Sequence, residues 1–371
     1  MPAGLNVPGI SGEDQERIAQ SGIDLSRANR CGSYLQMDQD VVHATCEEEG
    51  IEVLPYGVAV ARYAWLKDYA WNLVPRDKDE ITAYVAGQDQ PVGYVIIAKK
   101  GSKNVLPLQA CLFLGRETIQ HVHNIVIAEE GAELHLISGC ASGSHVGLGG
   151  AHYGVSEFYL KDGARISFTM IHTWGEEIEV YPRSAAVLGR DAVFLSNYVC
   201  MKPVKRVQMY PAAHLTGENS VARFSSIVIG LPGSHLDLGS RAILAARGAS
   251  AELVTRAITK GGTIISRGHI LGSAEGTRGH LECKGLILKD GRIYAIPEIE
   301  GTVVGTELSH EAAVGRIAQE EIEYLMARGL DEETATATII RGFLDVRISG
   351  LPAALQKQID ASIDSADRSG F

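Results

Sequence analysis

The chain has 371 residues, 45% of them apolar, and a formal net charge of −11. A chain of that length holds one large core with smaller appendages. The acidic balance speaks against nucleic acid or an anionic membrane face as the main partner.

No apolar run approaches the ~20 residues needed to span a bilayer. The opening Met1-Pro2-Ala3-Gly4 has neither a basic nor an apolar leader pattern. The six cysteines, at 31, 46, 111, 140, 200 and 283, include no C-x-x-C pair. That is too sparse for a disulfide scaffold and lacks zinc-ribbon spacing. A reduced, cytoplasmic protein is expected.

Residues 1–80 read as a helical and mixed domain, with Ser11 capping a helix over Glu13–Gln20. The aromatic cluster of Tyr63, Trp65, Tyr69 and Trp71 is expected to pack in a core. Residues 81–303 differ in texture. From Val92 onward, short β-rich runs follow one another, each broken by a small turn: 125–137, 158–171, 185–199, 242–258 and 286–299. The turns near Gly131, Gly163 and Asp191 recur roughly every 30 residues, a period that suits stacked coils. A mainly β protein is expected, built on a right-handed parallel β-helix with helical segments at both ends. A sandwich or a barrel fits the recurring turns less well.

Residues 304–371 read as a helical domain. His310–Arg328 is expected to form an amphipathic helix with Ser309 as N-cap, since Val314, Ile317, Ala318, Ile322 and Leu325 share one helical face. Gly329 suits the position just past that helix, and Asp331 caps another running to Phe343. Leu351–Ile363 reads as a last amphipathic stretch.

Three constellations carry chemistry. Cys283 lies in a strand-like segment, and Ser309-His310-Glu311 follows where sheet is expected to give way to helix. Thiolate, imidazole and carboxylate together form a ligand set for iron or another soft transition metal. One cysteine cannot hold a cluster alone, so a second subunit or exogenous thiols must complete the shell. Cys140 ends a strand at a Gly/Ser-rich loop, where an accessible thiol with His152 and His172 nearby could receive sulfur. His121 and His123 share a strand face and could chelate a metal, as in a cupin-like metal-dependent enzyme. For each set the plain alternative stays open: packed thiols and structural or surface histidines. A polysaccharide-binding β-helix would need aromatic stacking platforms that the coil region lacks. With no Walker A, G-x-G-x-x-G or G-x-S-x-G motif, nucleotide hydrolysis by this chain is not expected.

Several stretches together resemble the SufB/SufD family, the scaffold proteins of SUF iron–sulfur cluster assembly, in a short SufB-like form. They are GEDQERIAQSGIDLS (12–26), VGYVIIAKKG (92–101), VLPLQACLF (105–113), IAEEGAELHLISGC (127–140), TIISRGHI (263–270) and, most specific, HEAAVGRIAQEEIEYLMARGLDEETATATIIRGF (310–343). The resemblance implies a parallel β-helix between helical ends, and a scaffold rather than an enzyme. Cys283 matches the family cysteine for the nascent cluster, and His310 and Glu311 match the last two residues of its E-H-E tripeptide, whose first position is Ser309 here. Cys140 falls on the sulfur-accepting cysteine, and His152 and Trp174 on positions along the sulfur path. His172 stands where the family tends to have Gln. The implied cargo is a transient iron–sulfur cluster, with participation of flavin left open. The implied partners are a SufC-like ABC ATPase bound through the C-terminal helices, a cysteine desulfurase or sulfur carrier, and either a second copy of this chain or a SufD-like paralogue. Neither nucleic acid nor membrane is implied.

Overall fold

The computed structural model describes residues 10–26, 28–115, 119–143 and 149–344. Helix α1 (Gly12–Gln20) comes first, followed by strands β1 (Gly32–Met37), β2 (Asp40–Cys46) and β3 (Ile51–Pro55). Helix α2 (Tyr56–Arg62), a 3-10 turn at Ala64–Asp68 and helix α3 (Glu80–Ala86) follow. The solenoid then runs through β4 (Tyr94–Ala98), β5 (Leu108–Leu114), β6 (Ile119–Ala128), β7 (Glu133–Ser142), β8 (Gly150–Leu160), β9 (Arg165–Thr173) and β10 (Ile178–Leu188). It continues with β11 (Val193–Cys200), β12 (Arg206–Met209), β13 (Ala212–Leu215), β14 (Val221–Gly230), β15 (His235–Leu244) and β16 (Ser250–Thr259). Strands β17 (Thr263–Gly272), β18 (Arg278–Ile287), β19 (Arg292–Gly301) and β20 (Glu307–Gly315) end it, before helices α4 (Gln319–Met326) and α5 (Glu332–Leu344).

Two sheets face each other across the lumen. One has the order β2-β1-β5-β7-β9-β11-β14-β16-β18-β20, the other β19-β17-β15-β12-β10-β8-β6-β4-β3, with β13 beside β10 and β15. Pairing is parallel except at β1–β2 and β3–β4, where the chain enters. The fold is thus a parallel β-solenoid of about 7 turns, 51% strand and 15% helix, as the turn period predicts.

A column of left-handed turn residues sets the period. Gly131, Gly163, Asp191, Asn219, Gly248, Gly276 and Gly305 all have φ between 56° and 88°. Each of the first five donates its N–H to a carbonyl of the next coil's turn, as Gly163 does to Arg190 at 2.7 Å. A small residue follows each, and Ala132, Ala164, Ala192, Ser220, Ala249 and Thr277 are fully buried at the lumen's corner. Inward positions then stack as Leu134, Ile166, Phe194, Ala222 and Ala251 in successive coils of one sheet.

The helical ends cover apolar stripes on the outer faces. Ile18 of α1 packs with Leu35, Cys111 and Phe113. Tyr56 and Leu66 lie over Val95, Ile97, Ile125 and Ile127, and Tyr69 meets Tyr159 edge-on at 4.7 Å. Ile340 and Leu344 of α5 cover Ile171, Val199, Ile227 and Ile258. Among the described residues no helix is long and apolar enough to cross a membrane.

The expected helix at His310 is a correction. Ser309, His310 and Glu311 lie in β20, which pairs in parallel register with β18. Tertiary pairing here overrides the helix propensity of the Ala-rich run. Of the five residues expected on one helical face, only Ile322 and Leu325 fall within α4, which has no side-chain cap at Ala318. Ser309 Oγ instead lies 2.9 Å from His280 Nδ1. Gly329 does have φ 98°, and Asp331 accepts the Thr334 N–H at 2.7 Å as the next helix begins. The expected stretch Leu351–Ile363 lies outside the described residues.

Candidate functional site

The last two coils divide the expected ligand set between two faces. Along β18 burial alternates, with Gly279, Leu281 and Cys283 inward and His280, Glu282 and Lys284 outward. Parallel register places Ala312 beside Cys283, Glu311 beside Glu282 and His310 beside Leu281. Because in-register residues share a face, Cys283 and His310 belong to the lumen side and Glu311 to the outer side. Cys283 is 3% exposed, and its sulfur accepts from Ser266 Oγ at 3.6 Å. Burial pushes its thiol up, helped by Glu282, while the Ser266 bond opposes.

On the outer side, ligand atoms of His280, Glu282 and Glu311 all lie within 4.8 Å of one another. Lys284 sits between the carboxylates, 3.5 Å from Glu282 and 3.1 Å from Glu311. Burial alone would raise the Glu282 carboxyl, but the Arg256 hydrogen bond and the Arg256 and Lys284 charges outweigh it and hold it low. The strand-like reading of the Cys283 segment, with its period of two, already sets His280 and Glu282 on one face; the helical reading of Glu311 hid its meeting with them.

The other set converges inside the lumen. Cys140, His172 and Cys200 occupy one row of the ladder. His172 Nδ1 lies 3.0 Å from Tyr198 Oη. The Trp174 ring centroid is 5.5 Å from that of His172 and 5.2 Å from that of His152, whose Nδ1 contacts Gln120 at 2.8 Å. Cys140, His152 and Trp174 are therefore parts of one buried polar cluster, in which His172 Nε2 and Trp174 Nε1 have no partner among the described residues.

The expected accessibility of Cys140 is a correction. The residue is 1% exposed, and burial pushes its thiol up to about 12, partly offset by Ser138. Burial, with some repulsion from His121, drives His152 down to about 3, so its imidazole is neutral at pH 7. From Ser138 a parallel row runs through Met170, Tyr198, Ser226 and Thr255 to Cys283. Five strand spacings make that roughly 24 Å. A cavity of about 30 Å³ against Met170, Tyr198, Ser226 and Ser240 leaves space on this line for a water or two. Tyr198, Cys200 and Gln120 escaped the sequence reading, because only register shows that they share the row and the cluster.

His121 and His123 do share an outer face, but among the described residues they gather no third ligand for a cupin-like centre. His123 Nε2 is 2.8 Å from the fully buried Glu157, and its ring lies 4.2 Å from that of Trp71 and 5.1 Å from that of Tyr56. That imidazole fastens the N-terminal segment to the wall.

Comparison with known proteins identifies the family. A family profile described as SUF system FeS cluster assembly, SufBD core domain, matches residues 112–343. An iron-sulfur cluster assembly SufBD family protein of Methanothermobacter thermautotrophicus is 49% identical over 358 residues, covering 95% of this chain and 87% of its own. One from Archaeoglobus fulgidus is 48% identical over 361 residues, covering 97% of each chain. The iron-sulfur cluster assembly protein SufB of Bacillus subtilis is 31% identical over 267 residues, 70% of this chain and 57% of its own. A solenoid with this turn column, matched over these lengths, belongs to the SufBD family of the SUF iron–sulfur cluster assembly system.

Proposed function

We propose that this chain is a cytoplasmic SUF scaffold on which an iron–sulfur cluster is assembled from delivered iron and sulfur, then released to apo-proteins. The observation that carries the reading is the gathering of Cys283 and His310 on one face, and of Glu311 with His280 and Glu282 on the other, in the last two coils. Hard carboxylate oxygens suit an arriving iron ion, and a soft thiolate suits iron bonded to sulfide. Cys283, His310 and Glu311 hold the cargo, with His280 and Glu282 added here as the entry set. Sulfur enters at Cys140 and passes His152 and Trp174.

One protomer offers too few ligands, so a second copy or a SufD-like paralogue completes the shell. Strands β19 and β20 end their sheets, and Ile296, Ile299 and Val314 are exposed on them, which favours a partner at this end. Residues 304–371 form the contact with a SufC-like ATPase, whose hydrolysis drives opening. Tyr324 and Met326 are exposed on α4 for that contact. A cysteine desulfurase or sulfur carrier supplies Cys140 only once the wall around it opens, since the residue is 1% exposed in the closed solenoid. The chain itself performs no catalysis in this reading.

The test is anaerobic reconstitution of wild-type and Cys283→Ser chains, reading iron, sulfide and visible absorption. The variant should retain little cluster while melting as the wild type does. A full, stable cluster spectrum in the variant refutes the assignment. Tyr324→Asp with Met326→Asp should lose a co-expressed ATPase in a pull-down, and undiminished recovery removes α4 from the contact.

A further inference from the structure

Four of the six cysteines are sealed: Cys111, Cys140, Cys200 and Cys283 are at most 3% exposed. Burial is the largest influence raising each of their thiols. Cys31 and Cys46 differ. They meet at the end of the solenoid opposite Cys283, where the chain enters β1 and leaves β2. Gly32 faces Cys46 in the antiparallel ladder, and the Glu47 N–H donates to the Cys31 carbonyl at 2.9 Å. Cys31 lies just before the regular ladder begins, and Cys46 packs against the same core cluster that contains Cys31, so both side chains turn to one side.

Glycine at 32 makes the approach possible. A Cβ there would sit 2.8 Å from the Thr45 carbonyl oxygen and 3.0 Å from Cys46 Cβ. Both thiols are free, and Asn104 Nδ2 donates to Cys31 Sγ at 3.6 Å. Cys46 is partly exposed, whereas Cys31 is buried behind it.

We propose that Cys31 and Cys46 form a reversible thiol–disulfide exchange site whose co-reactant is a low-molecular-weight disulfide. The Cys46 thiolate attacks one sulfur of RSSR; that S–S bond breaks, RS⁻ leaves and a mixed disulfide forms on Cys46. Cys31 then gives up its proton and attacks the Cys46 sulfur, forming the Cys31–Cys46 bond and releasing the second RS⁻. The protein loses two electrons and two protons, and RSSR becomes two RSH. Excess RSH reverses both steps, and the closed bond ties β2 to the entry of β1.

The division of labour follows from the surroundings. Hydrogen bonding by Cys31 is the main cause holding the Cys46 thiol down at about 7, against burial and the Glu48 and Glu47 carboxylates. A thiol near ambient pH is the fastest attacker in such exchange. The Cys46 bond and burial push Cys31 well up, as suits the second, resolving thiol.

The experiment uses the full chain, reduced without oxygen, desalted and placed in glutathione redox buffers near neutral pH. Thiols are blocked with N-ethylmaleimide after unfolding, and the chain is cut with trypsin. No Lys or Arg lies between Arg30 and Arg62, so both cysteines fall in one peptide, 31–62. That peptide should become unlabelled and two hydrogens lighter while the other four cysteines take the label. Cys31→Ser should accumulate glutathione on Cys46, and Cys46→Ser should leave Cys31 unmodified. The proposal is overturned if wild-type peptide 31–62 stays doubly labelled, if another cysteine oxidises first, or if Cys31 takes glutathione as fast without Cys46.

Discussion

Replacing Glu157 with alanine is expected to release the Trp71–Val74 segment from the solenoid wall. Glu157 is fully buried, and its carboxyl accepts three backbone N–H groups: Trp71 and Leu73 at 2.6 Å and Val74 at 3.1 Å. His123 Nε2 lies 2.8 Å away, and Tyr159 Oη donates to it at 3.4 Å. Trp71 has φ 62°, a strained value for a bulky residue that persists only while its surroundings enforce it. Each stranded buried donor costs about 1–3 kcal/mol. The segment avoids the full sum by peeling into water, so local opening should become easier by about 3 kcal/mol, roughly 100-fold in population. Native-state hydrogen exchange reads this directly: the amides of Trp71, Leu73 and Val74 should exchange roughly 100-fold faster, while those of β14 to β18 keep their rates. Glu157→Gln keeps one acceptor oxygen and should fall between. Unchanged exchange at Trp71, Leu73 and Val74 in the alanine variant would refute the anchoring role.

Three further outcomes follow from packing and burial. Gly139→Val places a Cβ 2.5 Å from Ser21 Oγ and 2.6 Å from Ile23 Cγ1, so the segment after α1 must shift; a loss of about 1–3 kcal/mol is expected, seen as a lower Tm and faster proteolysis of residues 12–26. His152 is held to about 3 when folded, chiefly by burial, whereas the unfolded imidazole titrates near 6.5. Its neutral form therefore contributes full stability above about pH 6.5 and loses about 1.4 kcal/mol per unit as pH falls below that. His152→Gln should flatten this limb between about pH 6 and 5 in urea titrations, and an unchanged slope would show that His152 does not titrate with unfolding. Cys140, pushed up to about 12, should resist N-ethylmaleimide at neutral pH until the chain unfolds; prompt labelling in the folded chain would contradict its burial.

The coil repeat was legible because one residue per turn must adopt a left-handed backbone, and glycine, asparagine and aspartate reveal it. The same signal ran one coil further than the sequence reading followed it. Gly305-Thr306-Glu307-Leu308 repeats Gly131-Ala132-Glu133-Leu134, and both open strands after a positive-φ glycine. The Ala-rich run after Ser309 carried a helical period by composition, but the free edge of β18 supplied backbone partners that an isolated helix would have forgone. Cys140 looked exposed because Gly and Ser follow it. Its burial is a tertiary outcome, set by the row it shares with His172 and Cys200. The meeting of His152 with Trp174 was anticipated only through resemblance, since contact across the lumen depends on which coils face each other.

Strand periodicity also constrains how the last coil could hold a cluster. Cys283 is in register with Ala312, whereas Glu311 is in register with Glu282 on the opposite face. No atom can bond to both Cys283 and Glu311 through the sheet, because the backbone of β20 lies between the two faces. A cluster joined to both must pass over the outer edge of β20, which is the last strand of its sheet. Among the described residues that same edge has no strand beyond it, and its backbone groups are those through which another sheet would extend this one. Pairing along all of β20 would therefore close the route between the two faces. A partner compatible with a cluster spanning Cys283 and Glu311 must leave the stretch from His310 to Ala312 unpaired.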